Sequence, residues 1–231
     1  MTIFCWIDVV MCLWSYRQTI VTDPAAKRVK GDAKPYPLDY TKTCEKCEYK
    51  WKAPRVSHCS SCGKCVYKLD HHCMWTQTCI GYTNQKSFYL FCLYMSFGVL
   101  QFWWSTLQAH SLLSTQCSFF AHFDTGVYIL WGITCFSAGV VGIMIVSLAV
   151  GHIIMMSTNF TTLDSMKTRK ACPYPCCLNF CPRNFKPESI NLWDRGEVQN
   201  LKLVFGTNLL TAFLPFAREV ENEFIGEPMN P

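Results

Sequence analysis

The strongest constraint on the fold of this chain is where its cationic side chains stop. All 21 Lys and Arg residues fall in two blocks, thirteen from Arg17 to Lys86 and eight from Lys167 to Arg218, while segments 1–16 and 87–166 hold none. In those segments apolar residues run on without the polar interruptions that helix or strand period imposes on an amphipathic soluble fold. Of the 231 residues 50% are hydrophobic, 15% aromatic and only 16% charged, which departs from soluble domains in the same direction. The pattern predicts a multi-pass α-helical membrane protein. Under the positive-inside rule both basic blocks face the cytosol, and the loop 109–126 is lumenal or extracellular. A soluble basic nucleic-acid binder would leave the uncharged runs unexplained, so nucleic acid is not an expected partner.

Residues 1–17 read as a transmembrane helix whose apolar part, Ile3 to Tyr16, is shorter than the roughly 20 residues that cross a bilayer. It is expected to be the surviving end of a longer span. No basic residue precedes it, which argues against a secretory leader. Thr22-Asp23-Pro24 stop the helix, and 18–43 form a polar cytosolic linker, with Lys27, Arg28, Lys30, Pro35 and Pro37, that is expected to be poorly ordered. Two further transmembrane helices are predicted at 88–108 and 127–156, the latter with Gly132, Gly139, Gly142 and Gly151 for close packing. His110, Cys117 and His122 read as solvated loop residues. Residues 157–231 form a cytosolic C-terminal region with an amphipathic or re-entrant stretch from Leu201 to Phe216. Cys5, Cys12, Cys92 and Cys135 lie in apolar runs as small buried hydrophobes. The cluster Cys172, Cys176, Cys177 and Cys181 leaves three readings open: sites of acylation, a further metal site, or no role.

Between the first two spans lies a cysteine-rich segment, 44–87. Seven of the 16 cysteines crowd between Cys44 and Cys79 beside His58, His71, His72 and many lysines, a mixture that points to zinc in a reducing compartment rather than to disulfides. Ten ligands are available: Cys44, Cys47, His58, Cys59, Cys62, Cys65, His71, His72, Cys73 and Cys79. The spacings Cys44-x2-Cys47, Cys59-x2-Cys62 and Cys62-x2-Cys65 are those of zinc knuckles. Structural zinc is four-coordinate, so two ions take eight ligands, three Cys and one His each, and leave one Cys and one His. A spare thiol and imidazole on a rigid scaffold, with the carboxylate of Asp70 adjacent, is an arrangement that activates a nucleophile. The count alone does not say which Cys and which His stay free. The alternative is a catalytically silent, membrane-tethered zinc module that binds protein partners.

The motifs Cys44-Glu-Lys-Cys47, Lys52-Ala-Pro54-Arg55, His58-Cys59-x2-Cys62-x2-Cys65, Asp70-His71-His72-Cys73-x-Trp75 and Cys79-x-Gly81-x2-Asn84-x3-Phe88 resemble the DHHC protein S-acyltransferases. The resemblance extends to Thr161-Thr162-Leu163-Asp164, similar to the family's Thr-Thr-x-Glu, and to Asp194-Arg-Gly196-x3-Asn200-x3-Val204-Phe205-Gly206, whose asparagine braces the transmembrane helices in that family. Thr22-Asp23-Pro24-Ala25 resembles its Asp-Pro-Gly. The resemblance implies one zinc on Cys44, Cys47, His58 and Cys65 and a second on Cys59, Cys62, His72 and Cys79. It further implies Cys73 as nucleophile, His71 as its base and Asp70 as the group that orients His71. The implied reaction moves a long-chain acyl group from acyl-CoA to Cys73 and then to acceptor cysteines of cytosol-facing proteins. Arg55 and Lys68 are the expected partners of the CoA phosphates. The implied setting is a bilayer of the Golgi, the ER or the plasma membrane. The sequence departs from the family at Met74, where proline is usual, and at Gln77 and Thr78, where asparagines are usual.

Overall fold

The computed structural model describes residues 2–26, 42–52, 55–115, 125–171 and 193–217. The central linker residues, Cys117, His122 and the cluster from Cys172 to Cys181 lie outside the described residues.

Helix α1 runs over Thr2–Val21, longer than the apolar stretch alone. Arg17 and Gln18 are good helix formers and carry it one turn further. It stops where the Thr22 N–H donates back to the Gln18 carbonyl at 3.1 Å and Pro24 follows. Helices α2 (Gln85–Thr115) and α3 (Thr125–Ser157) also outrun the expected spans. At about 1.5 Å per residue each exceeds the roughly 30 Å of a bilayer's hydrocarbon core. These two helices are long and apolar enough to cross a membrane. Leu100, Ile133, Phe136 and Ile143 stand exposed on them, the reverse of a soluble protein's core helix. α1 packs on α2, and α2 on α3. Gly142 admits Val99 of α2, since a Cβ there would meet Val99 Cγ1 at 2.5 Å, and Gly139 lies close to Trp103. Gly132 and Gly151 face open space, so only two of the four glycines serve helix packing.

Between α1 and α2 the chain folds into three two-stranded antiparallel hairpins. β1 (Lys42–Cys44) pairs with β2 (Tyr49–Lys52), β3 (Val56–Cys59) with β4 (Lys64–Tyr67), and β5 (His71–Cys73) with β6 (Thr78–Ile80). Such short hairpins bury too little to stand alone. The segment after α1 joins them as an added edge: Ala25 bridges to Val66, the Tyr67 N–H donates to the Pro24 carbonyl at 3.3 Å, and Lys64 meets Asp23 at 2.6 Å.

Asn84 fixes this module to the helices. It is fully buried, its Oδ1 accepts from the Gly81 N–H at 2.9 Å, and its Nδ2 donates to the Thr19 carbonyl at 3.1 Å and the Cys79 carbonyl at 2.9 Å. One amide thus ties the end of α1, the third hairpin and the start of α2.

After α3 come α4 (Thr162–Ala171), α5 (Glu197–Phe205) and α6 (Leu209–Ala212). The stretch from Leu201 to Phe216 is therefore two helices, broken at Gly206, whose φ of 83° is left-handed. Its end is strapped to α2 by bonds from Lys86 Nζ to the Thr211 carbonyl (2.7 Å) and from the Tyr94 hydroxyl to the Phe213 carbonyl (2.6 Å).

Asn84→Ala strands the Gly81 donor and two acceptors, at a cost of about 2–4 kcal/mol. Thermal unfolding in detergent is expected to show a clear fall for Asn84→Ala.

Candidate active site and metal centres

The site is built by repeating one local device. In the β3–β4 hairpin, His58 and Cys65 face each other across the pair, and Cys59 leads through a turn to Cys62 and Gly63, which is left-handed at φ 63°. In the β5–β6 hairpin, His72 faces Cys79, and Cys73 leads through the same turn to Thr76 and Gln77, left-handed at φ 51°. Fourteen residues separate each pair of equivalent positions, and Thr76 stands where the first copy has Cys62. The third hairpin is thus a zinc knuckle that lacks its second thiol, and Cys73 occupies the place of the first. This repeat, His-Cys-x5-Cys at 58–65 and 72–79, is legible in the sequence but escapes a reading that treats each cysteine pair by itself.

Eight side chains gather into two groups, Cys44, Cys47, His58 and Cys65, and Cys59, Cys62, His72 and Cys79, with the ligand atoms of each group within 4.8 Å of one another. These are the sets that the family resemblance implies. Nδ1 of His58 lies 3.2 Å from Cys47 Sγ and 3.7 Å from Cys44 Sγ. Nδ1 of His72 lies 3.2 Å from Cys62 Sγ and 3.8 Å from Cys59 and Cys79, and the sulfurs of Cys62 and Cys79 are 3.3 Å apart. A zinc ion with sulfurs at about 2.3 Å and nitrogens at about 2.0 Å has tetrahedral edges of about 3.5–3.8 Å, so a single ion fits the centre of each group. The crowding tells the same story. Burial and then the neighbouring Cys44 and Cys47 thiolates push the Cys65 thiol up to about 12, and burial with Cys62 and Cys59 pushes Cys79 upward as well. A dication relieves that repulsion.

Cys73 and His71 belong to neither group. The Asp70 carboxylate, 3% exposed, sits at the N-terminus of α4. Its Oδ1 accepts the Thr162 N–H at 2.6 Å, and its Oδ2 accepts the Thr162 hydroxyl at 3.0 Å and His71 Nδ1 at 2.6 Å. Burial opposes ionisation, but the His71 bond and the Thr162 N–H outweigh it and hold the carboxyl below its usual range. Burial likewise acts to lower His71, yet the bonds to Asp70 and then to Cys73 raise it to about 9. Burial acts to raise Cys73, whereas His71 and the backbone N–H groups of Thr76 and Trp75 bring it down to about 7. As the pH rises through about 7, Cys73 goes over to the thiolate while His71 still holds its proton. The nucleophilic form is therefore present without any prior proton transfer.

The Thr161-Thr162-Leu163-Asp164 motif now has a physical account. Thr161 Oγ1 caps α4 by accepting the Asp164 N–H at 3.1 Å, Thr162 holds Asp70, and Asp164 receives Arg55 at 2.7 Å. The shorter aspartate reaches its partner where the family has glutamate. Asn159, left-handed at φ 50°, takes two further bonds from Arg55 at 3.0 Å each. Arg55 also lies 5.6 Å from the Trp193 ring centroid. Asn200, 1% exposed, donates to the Ser157 carbonyl at the end of α3 at 2.7 Å and to Asp194 at 2.6 Å, which is the bracing expected of it.

Of the two cations expected near the CoA phosphates, Arg55 bonds Asp164 and Asn159, and Lys68 is 7% exposed with φ 47°. At the departures, Gln77 Nε2 donates to the Met74 carbonyl at 2.5 Å across the turn.

The DHHC palmitoyltransferase family model matches residues 38–169. Probable protein S-acyltransferase 13 of Arabidopsis thaliana is 28% identical over 239 residues, covering 91% of this chain and 70% of the relative. Probable protein S-acyltransferase 15 of the same plant is 27% identical, covering 92% of this chain and 82% of the relative. The human palmitoyltransferase ZDHHC14 is 33% identical, over 62% of this chain and 28% of its own length.

Metal analysis is expected to find about two zinc ions per chain in Cys73→Ser but loss of metal and fold together in Cys79→Ser. His71→Gln is expected to move the pH midpoint of Cys73 alkylation by iodoacetamide upward from about 7, since it removes the largest of the groups that lower the thiol.

Proposed function

Because this chain belongs to the DHHC palmitoyltransferase family, and is a protein S-acyltransferase like its relatives, we propose that Cys73 carries the acyl group, His71 moves the proton and Asp70 aims His71. The observation that carries this assignment is the line Asp70–His71–Cys73, standing outside both metal groups in the hairpin that copies a knuckle without its second thiol.

The Cys73 thiolate attacks the thioester carbonyl carbon of a long-chain acyl-CoA. The bond to the CoA sulfur breaks, and the His71 imidazolium gives its proton to that departing sulfur. Neutral His71 then takes the proton from an acceptor cysteine thiol of a cytosol-facing protein, whose sulfur attacks the Cys73 thioester. Cys73 leaves as thiolate and the imidazolium is restored. One thioester replaces another at each step, so activation and placement are required rather than an energy source. Two zinc ions, when bound by the eight ligands above, would give the hairpins their rigidity, and these steps run on Asp70, His71 and Cys73 alone.

Placement also concerns the acyl chain, which gains roughly 0.8 kcal/mol for each CH₂ taken out of water. Cys73 is buried against Ile80, Phe88, Cys92 and Ala149, so an acyl group on its sulfur starts against the apolar faces of α2 and α3. Met74 and Trp75 beside it are 71% and 77% exposed, consistent with a turn lying at the bilayer surface. The full reading is a multi-pass protein of an endomembrane or the plasma membrane with its zinc module on the cytosolic side. The silent zinc-module alternative rests on Met74, Gln77 and Thr78 alone, and the Gln77 bond to Met74 weakens it.

Purified protein incubated with an alkyne-tagged acyl-CoA is expected to form a hydroxylamine-sensitive adduct that Cys73→Ser lacks. Its initial rate should rise through pH about 7 as Cys73 ionises and fall above about 9 as His71 loses the proton the leaving sulfur needs. A wild-type protein without a Cys73-dependent adduct would sink the enzymatic assignment.

A further inference from the structure

His152 is buried beside the reacting residues and has no task in the two steps above. It lies on α3 and is 3% exposed, and its imidazole has a nitrogen within 4.8 Å of both an Asp70 carboxylate oxygen and a His71 ring nitrogen. Its ring centroid is 5.8 Å from that of His71, tilted by 35°, and 5.2 Å from that of Phe88, edge-on at 79°. Phe88 in turn stands 5.3 Å from His71 at 70°. The three rings form a triangle that, with Asp70, leaves the His71 imidazole little freedom to turn.

The wall around this triangle is otherwise apolar. Phe88, Ala149, Cys92 and Met156 are all buried, and Ala149 and Met156 share the inward face of α3 with His152 at helical spacing. A phenyl ring would fill the same space without the cost of burying a polar group. What an imidazole adds there is a nitrogen toward Asp70 and His71. Asp, His and His are also metal-ligand types, but the Asp70 carboxylate is already engaged by the Thr162 N–H and hydroxyl and by His71 Nδ1, and His152 joins the cluster through its ring contacts with His71 and Phe88.

We propose that His152 is a positioning residue for acyl transfer, holding the Asp70–His71 pair in the orientation that aims His71 at Cys73. α3 and the start of α4 then grip the pair at two points of one continuous stretch: Thr162 binds Asp70, and His152 braces His71. The inference rests on the acyltransferase reading and adds a specific role on the membrane-helix side of the site.

The test compares wild type, His152→Phe, His152→Gln, His71→Gln and the His152→Phe/His71→Gln double variant in the tagged acyl-CoA assay, with zinc content measured for each. His152→Phe keeps the packing and is expected to lower the maximal rate of Cys73 acylation about tenfold, as a misplaced catalytic group does. The acyl-CoA concentration giving half that rate should stay within about twofold, with zinc unchanged, because binding and scaffold are untouched. His152→Gln should recover part of the rate. Adding His152→Phe to His71→Gln should cost nothing further, since the residue acts through His71. A wild-type rate in His152→Phe overturns the proposal, as do loss of zinc in that variant, a Gln variant no faster than Phe, or an equal further fall in the His71→Gln background. Absence of any Cys73 adduct in wild type would instead overturn the acyltransferase reading and this inference with it.

Discussion

Everything in this molecule depends on eight soft donors converging into two small tetrahedra. The hairpins between α1 and α2 have strands of three or four residues, and among the described residues no sheet exceeds two strands. Hydrophobic burial on that scale does not hold a unique shape against chain entropy. Inter-ligand distances of 3.2–3.8 Å fit two metal centres that would, because an ion at each would fix four positions of the chain at once. The second centre takes ligands from two successive hairpins, Cys59 and Cys62 from one and His72 and Cys79 from the next. The position of Cys73 is thereby set from both of its neighbours in the register.

The same device explains the reactivity. A knuckle turn directs backbone N–H groups toward the sulfur of its first cysteine, which suits a metal-bound thiolate. In the third hairpin the second thiol is replaced by Thr76, so the turn stabilises a thiolate that no metal group claims. His71, placed one residue before the ligand His72, projects to the other face of β5, as alternation along a strand requires. It meets Asp70 there, which the N–H and hydroxyl of Thr162 at the start of α4 hold. Scaffold and chemistry are thus adjacent residues on opposite faces of one strand.

The polar anchors outside the hairpins all serve this placement. Asn84 ties the third hairpin to α1 and α2, Arg55 ties the second to the start of α4, and Asn200 ties α5 to the end of α3. Each is a buried side chain whose bonds reach backbone carbonyls or a carboxylate distant in sequence, and each would be costly to leave unpaired. In the sequence Arg55 is a cation near a site expected to bind phosphates, and only the structure shows its bond across 109 residues to Asp164.

Much of the fold and site was legible in the sequence. The absence of basic residues marked the two apolar helices, though not their full length, because helices continue into polar flanks that hydropathy does not count. Cysteine and histidine spacing gave two metal groups and the existence of a spare Cys and His, and the family motifs supplied the partition that the geometry matches. What the sequence determined on its own is local: knuckle turns, helix caps and apolar runs are written in contiguous residues. Tertiary structure alone decided that Thr162 and His152, both more than 75 residues from Asp70 and His71, close around that pair, and that Arg55 braces α4. The reason is physical. Contacts between distant segments depend on how α3 and α4 pack against the hairpins, and no periodicity in the chain encodes that angle.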